Sequence, residues 1–351
     1  MDRALASYLA QQFPGAEIEI EAFAVIAGGY SRETFRFDAH ITRTGERKVY
    51  PMILRKNPPE VVSILDTSRE IEHNLLNAVR EHTRIPVSES HFAIMDPGHF
   101  GTAAMIIERV QGCGEPSLLF NGGPNEDQAE AVATHLCELI AELHTTAPKL
   151  LNPKGELDDP RGIGLDVSNW DAYMDGMLEY YLSNYETFAW DAMPQFRDAF
   201  LQLRRSKPRP LPLRLVHGDF NPANFLYENG CVTALIDWEN SHIGDPREDL
   251  GWMAQMDLLS NTNIMGSVKA DGGFLGHYNK LTGFNVTEEE LEYFRMFSSG
   301  NIGVPVLSAV ARRLRNEHQE LLHVYIMQPA LVSELGFAQL LRYPMPAPAG
   351  A

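Results

Sequence analysis

Residues 215–250 read L-V-H-G-D-F-N-P-A-N-F-L-Y-E-N-G-C-V-T-A-L-I-D-W-E-N-S-H-I-G-D-P-R-E-D-L and place Asp219, Asn224 and Asp237 at intervals of five and thirteen. An apolar run from Leu213 to Val216, broken by one Arg, predicts a short strand, so Asp219 falls at the mouth of the loop that leaves it. Pro222 stiffens that loop, and Asn224 can project a side-chain carbonyl oxygen into the same space. Next, Phe225 to Tyr227, Glu228-Asn229-Gly230 and Val232 to Ile236 predict a hairpin, because Asn-Gly accepts the positive φ angles of a two-residue turn. The hairpin returns the chain to its start and sets Asp237 beside Asn224. One carboxylate and one amide oxygen suit Mg²⁺, a hard cation that keeps waters and substrate phosphates as its other ligands. A proton acceptor, Asp219, next to such a metal is what phosphoryl transfer to a hydroxyl requires.

The segment resembles the aminoglycoside phosphotransferase and choline kinase superfamily, whose signature is H-G-D-x-x-x-x-N followed by I-D-W/F-E and G-D-P-x-x-D-L. Every element is present: His217-Gly218-Asp219, Asn224, Ile236-Asp237-Trp238-Glu239, and Gly244-Asp245-Pro246 with Asp249-Leu250. The resemblance implies an α+β, bilobal, protein-kinase-like fold. A small N-terminal antiparallel β-sheet lobe (1–110) would cover the nucleotide, and a larger, mostly helical C-terminal lobe (111–351) would carry the catalytic loop, metal site and acceptor pocket. It implies a small-molecule kinase that uses Mg²⁺ and ATP or GTP. Asp219 would orient the acceptor hydroxyl and take its proton, while Asn224 and Asp237 would hold the metal. His217 would buttress the loop, and Asp245 and Asp249 would brace it through backbone amides.

In the N-terminal third, Ile18 to Ile26 alternates roughly between apolar and charged residues, and Phe35 and Phe37 resume a strand after Ala27-Gly28-Gly29-Tyr30-Ser31-Arg32-Glu33-Thr34. Gly28 and Gly29 would let backbone amides approach phosphate oxygens, and Ser31 could add a hydroxyl donor. An ordinary hairpin turn accounts for the glycines equally, but related kinases have a short Gly/Ser loop here. A second hairpin turns at Thr44-Gly45, and its return strand ends in I-L-R-K-N-P. By resemblance Arg55 is the residue that grips the nucleotide phosphates, which a guanidinium can do in a bidentate manner. Lys56 competes, and strand alternation lets only one of the two face the cleft. The partner of that cation would come from the helix predicted over 67–81, where the family pattern R-E-x-x-x-x-L points to Glu70. Thr67 and Glu70 also spell a capping box, with Glu72 as the alternative partner. Ala103 to Val110 reads as a buried strand entering a connector. By resemblance it is the hinge, with backbone groups near Glu108 and Val110 meeting the purine.

The chain has 351 residues, 44 % of them hydrophobic, enough for one large domain or two lobes. No segment reaches the roughly eighteen consecutive apolar residues that span a bilayer. The first residues, M-D-R-A-L-A-S-Y-L-A-Q-Q-F, do not read as a secretory signal, and Cys113, Cys137 and Cys231 are too few and too scattered for a disulfide framework. A cytoplasmic location is expected. A formal charge of -18 argues against nucleic-acid or anionic-membrane partners and is mildly compatible with a cationic substrate. Helices are expected over 127–144, 170–190, 287–299 and 308–342. The stripe Trp170, Tyr173, Met177 and Tyr180/Tyr181 reads as core or as an acceptor-pocket wall, and His144 as a packed structural histidine. Two rival classes are a metal-dependent phosphoesterase, which would use the same His and carboxylates on a two-metal centre, and a non-catalytic nucleotide-binding protein. The acceptor is left open among an aminoglycoside, choline, homoserine, a sugar or a hydroxyacyl thioester, and the oligomeric state is unknown. The S-R-E-T and L-R-K-N-P runs look most like the phosphotransferase branch linked to acyl-CoA dehydrogenases.

Overall fold

Alternation decides the N-terminal lobe. Strands β1 (Glu17–Val25), β2 (Glu33–Arg43) and β3 (Glu46–Lys56) pair antiparallel in succession, and the β2–β3 turn closes at Thr44 and Gly45 with φ of +52° and +83°. On β2 the residues Phe37, Ala39 and Ile41 are buried at every second position, and Met52 and Leu54 continue that face on β3. Helix α1 (Asp2–Gln12) closes the face with Leu5, Tyr8 and Leu9. Arg55 must therefore point to the opposite face, away from α1. Helix α2 (Arg69–His82) buries Leu75, Leu76 and Val79, β4 (Ser90–Ile94) follows, and a short α3 (Pro97–Phe100) leads to β5 (Ala104–Glu108). The sheet order is β1-β2-β3-β5-β4, which puts the most apolar strand, β5, next to the centre.

The computed structural model describes residues 1–26, 33–57, 68–189, 193–315, 336–337 and 340–342. Beyond the sheet the chain is mostly helical: α4 (Ala129–Thr145), α5 (Pro148–Leu151), α6 (Trp170–Phe188) and α7 (Pro194–Arg205) precede strand β6 (Arg214–Val216). The predicted hairpin is present as β7 (Phe225–Glu228) and β8 (Cys231–Leu235), turned by Asn229 and Gly230 at φ of +51° and +77°. Strand β9 (His242–Gly244) pairs with β6, and α8 (Arg247–Leu259), α9 (Ile264–Ser267), α10 (Phe274–Thr282) and α11 (Glu288–Leu314) complete the lobe. Leu75 and Leu76 of α2 and Met105 and Ile107 of β5 share one apolar cluster with α4 and the hairpin, so the lobes are packed on one another. The arrangement is the bilobal, protein-kinase-like α+β fold.

Two expectations about helices change. Residues 287–299 and 308–314 form one helix rather than two, because α11 runs through Pro305 and buries Phe294, Phe297, Val304 and Leu307 along its length. The rest of the expected 308–342 helix falls largely outside the described residues. The cap of α2 is Ser68, whose hydroxyl accepts from the Glu70 N–H at 3.2 Å, and Thr67 lies outside the described residues. Among the described residues no helix is long and apolar enough to cross a membrane.

Candidate active site

The loop after β6 is held from below. Buried Asp249 accepts the N–H of His217 on one oxygen (2.7 Å) and that of Gly218 on the other (2.9 Å). His144 Nε2 donates to the same carboxylate at 3.0 Å, and Tyr278 meets His144 Nδ1 at 2.8 Å. Burial works to raise the Asp249 carboxyl, yet these donors hold it below its ordinary value. His217 donates from Nε2 to the Ile236 carbonyl at 3.0 Å, and Nδ1 accepts the Asp219 N–H at 3.3 Å. Burial lowers the His217 pKa, which suits this neutral tautomer. Gly218 sits at φ +79°, and any Cβ there would land on the Asn240 carbonyl.

Three N–H donors fix the Asp219 carboxylate. Trp252 Nε1 (2.7 Å) and Asn221 Nδ2 (2.8 Å) reach Oδ1, and Asn224 Nδ2 (2.8 Å) reaches Oδ2. Burial pushes the carboxyl up to about 7 and nearby Asp237 adds to the rise, against the pull of these donors. Asn224 turns its nitrogen to Asp219, which leaves its amide oxygen out of that bond. The Asn224 backbone carbonyl accepts the Ile236 N–H at 3.0 Å, so the residue before Asp237 is tied to the loop that carries Asp219. Asp237 itself adopts the left-handed conformation, φ +68° and ψ +57°, uncommon for a non-glycine residue and frequent where a side chain must be aimed.

Arg55 joins the two lobes. Its Nη2 donates to Asp237 Oδ1 at 2.5 Å, its Nη1 to Glu72 Oε1 at 2.6 Å, and Glu239 lies 3.5 Å away. Burial alone would lower its pKa, but these carboxylates raise it overall and keep it charged. Burial in turn raises Asp237, opposed by Arg55 and assisted by Glu239 and Glu72. The expectation that Glu70 is the partner is corrected: Glu70 is exposed on α2, and Glu72, 3 % exposed, makes the pair. Capping at Ser68 turns Arg69 and Glu72 inward together, where they form a second ion pair at 2.5 Å. Lys56 faces the other side of the strand and bonds Glu33 at 2.9 Å.

Above these groups a cavity of about 740 Å³ is lined by Ile26, Ile53, Ile107, Val110, Leu226, Leu235, Arg55 and Asp237. Val110 is among its walls. Glu108 is not among its walls: its N–H donates to the Glu89 carbonyl at 2.8 Å, and its side chain accepts the Glu89 N–H at 3.3 Å and lies 3.8 Å from Arg80. Gly112 carries the connector past the hairpin at φ +146°, where a Cβ would collide with Thr233 and Leu226. Gly28, Gly29 and Ser31 lie outside the described residues.

Other side chains escape a reading of spacing alone. Trp252, Asn221, Arg69 and Glu239 all touch the site or its ion pairs. Trp252 stands one helical turn after Glu248 on α8, a signal that becomes visible only once that helix is placed. Asp245 does not brace the catalytic loop; it accepts from Arg247 N and Nε (both 2.9 Å) and from the Trp170 indole (2.5 Å). The side chains of Trp170, Tyr173, Met177 and Tyr181 pack in an apolar cluster with α7 and α11, and among the described residues the Tyr181 hydroxyl has no hydrogen-bond partner.

Comparison with known proteins agrees with this geometry. The sequence model described as "Phosphotransferase enzyme family" matches residues 22–284. The human acyl-CoA dehydrogenase family member 11 is 28 % identical over 256 residues, covering 71 % of this chain and 30 % of that protein. The mouse acyl-CoA dehydrogenase family member 10 is 24 % identical over 259 residues, covering 72 % of this chain and 22 % of its own length. The chain thus spans less than a third of either relative. Among solved structures, a Ralstonia eutropha protein described as a candidate aminoglycoside phosphotransferase aligns with a TM-score of 0.68 at 19 % identity, covering 98 % of this chain and 99 % of that one. Aminoglycoside phosphotransferase APH(4)-Ia, solved with ADP and hygromycin B, aligns with a TM-score of 0.62 at 16 % identity, covering 98 % and 100 %. With three quarters of its length matched, this chain belongs to the phosphotransferase enzyme family.

Proposed function

We propose that the chain transfers the γ-phosphoryl group of ATP to a hydroxyl of a small acceptor, with Asp219 as proton acceptor and Asn224 and Asp237 as ligands of Mg²⁺. The observation that carries this reading is the link from Asp219 through Asn224 to the Asp237 segment on the floor of the cavity that Arg55 enters. The donor set fits the metal: one amide oxygen and one carboxylate leave room for water and phosphate, and among the described residues no group of three or more His, Cys, Asp or Glu is set to hold an ion alone. When bound, Mg²⁺ would supply neutralisation of phosphate charge. Arg55, held by Glu72, offers its guanidinium to the nucleotide phosphates. Val110 and the apolar walls would receive the base, residues 1–110 serving as the nucleotide-covering lobe and 111–351 as the catalytic lobe. Asp219 orients the hydroxyl and takes its proton, since a loose transition state needs positioning more than strong basicity.

The named relatives keep an aminoglycoside and a hydroxyacyl thioester among the acceptors to be tried, beside choline, homoserine and sugars; GTP is tried beside ATP. A cytoplasmic location is part of the reading and rests on three free cysteines. The test is an ADP-release screen over such hydroxyl compounds with Asp219→Ala as blank. The variant is expected to lose at least about 100-fold in turnover while still binding nucleotide. Equal turnover by Asp219→Ala would refute the role of Asp219.

A further inference from the structure

A line of hydrogen bonds leads from the catalytic loop into the helical lobe. The Asn240 carbonyl, against which Gly218 packs, meets His242 Nδ1 at 2.8 Å. His242 Nε2 meets the Tyr173 hydroxyl at 3.1 Å and Glu248 Oε2 at 3.3 Å. Glu248 is fully occupied: Oε1 accepts from Tyr173 (2.6 Å) and the Asp245 N–H (2.8 Å), and Oε2 accepts from Asn301 Nδ2 (2.9 Å). The Asn301 side-chain oxygen then accepts from Arg161 Nη1 at 3.3 Å. There the line stops. Arg161 has no carboxylate within 4.0 Å among the described residues, and its buried Nη2 has no hydrogen-bond partner. Among the described residues the hydroxyl of Tyr181, which has no exposed surface, also has none, and neither has the side-chain oxygen of buried Asn240. Burial drives the Tyr181 phenol well above its ordinary pKa and Glu248 adds to this, while Arg161 is near enough for its charge to oppose both.

Buried polar atoms without partners each cost about 1–3 kcal/mol and call for an explanation. The guanidinium of Arg161, bonded to Asn301, and the phenol of Tyr181, whose ring packs against neighbouring Gly300, are both donors, and together they match an anionic oxygen. We propose that Arg161, Tyr181 and Asn301 form the specificity site for the acceptor, and that this acceptor carries a compact anionic group, carboxylate or phosphate, besides its hydroxyl. The inference rests on the kinase reading and adds the substrate class. The overall charge of -18 is no obstacle, because a guanidinium with no carboxylate within 4.0 Å among the described residues acts locally where the surface charge is screened over about 10 Å.

Four probes that share a hydroxylated carbon skeleton test this with the full chain: glycerate, glycerol phosphate, glycerol and the cationic serinol. Melting temperature is read with each probe in wild type, Arg161→Gln, Arg161→Lys and Tyr181→Phe, and ADP release is read in parallel with MgATP. At least one anionic probe is expected to raise the melting temperature of the wild type where glycerol does not, with glycerate against glycerol phosphate separating the two anions. In Arg161→Gln that rise is lost, and kcat/KM for the anionic acceptor falls about 10- to 100-fold, mainly through KM, as for one charge-assisted hydrogen bond. Arg161→Lys recovers part of the loss, and Tyr181→Phe, which removes only the phenol oxygen, loses less. Equal response of wild type and Arg161→Gln, preference for serinol, or no response to either anion would overturn the proposal and leave ordered water as the occupant of these atoms. An anion response that depends on Arg161 without ADP release sustains the site and counts against the kinase reading alone. ADP release that is indifferent to Arg161 does the reverse.

Discussion

Replacing Asp249 by Asn perturbs the catalytic loop while nearly conserving shape. The carboxylate accepts three donors: the His217 N–H at 2.7 Å, the Gly218 N–H at 2.9 Å and His144 Nε2 at 3.0 Å. An amide can face only one oxygen to them, so at least one donor meets an NH₂ group and is left buried and unpaired, at about 1–3 kcal/mol. The surviving bonds lose their charge assistance, about 0.5–1 kcal/mol each. The expected destabilisation is roughly 2–5 kcal/mol, read as a shift in denaturant midpoint near pH 7. Its pH dependence follows from the depressed carboxyl of Asp249. A group with a lowered folded pKa stabilises above its unfolded value and loses that contribution as pH falls through the folded value. The gap between wild type and variant should therefore narrow as the pH falls below about 4. Turnover should fall about 100-fold, because the loop that aims Asp219 is loosened. A midpoint change worth less than about 0.5 kcal/mol, or a gap that persists undiminished in acid, would refute this account of the loop.

Other consequences can be measured with the same protein. Glu72→Gln should raise KM for ATP about tenfold or more by releasing Arg55, while Glu70→Gln should stay within about twofold, the reverse result restoring Glu70 as the partner. Gly218→Ala should cost at least about 2 kcal/mol and most activity, since the left-handed backbone and the Asn240 carbonyl both oppose a methyl group; normal melting and rate would contradict the packing described. The acid limb of kcat/KM should reflect Asp219, pushed up to about 7 by burial and Asp237, with activity lost as pH falls through it. A metal held by Asp237, as proposed, would offset its charge, so the limb in kcat should lie at lower pH; a limb that ignores Asp219→Glu would point to another base.

The hairpin at Asn229-Gly230, the strand 49–55, the grouping of Asp219, Asn224 and Asp237, and the rule that only one of Arg55 and Lys56 can face the cleft were open to sequence reasoning. They depend on neighbours a few residues away, on turn chemistry, or on the two-residue period of a strand. That is why two residues side by side on β3 could be told apart once a single buried face was known. The pairing with Glu72 was not legible in the same way. Residues two apart on a helix differ by about 200° around its axis, so moving the cap by one position, from Thr67 to Ser68, changes which carboxylate faces inward. Trp252, Arg69 and Asn301 lie further beyond reach, because they meet the site across tens to hundreds of positions of chain. Sequence alone brought Asp219, Asn224 and Asp237 into one segment and pointed to the family to which the chain belongs, since local spacing sets both. Which carboxylate holds Arg55, which donors aim Asp219, and which buried atoms near Arg161 stay unpaired were decided by tertiary packing, because burial and long-range contact, not adjacency, choose the partners of a charge.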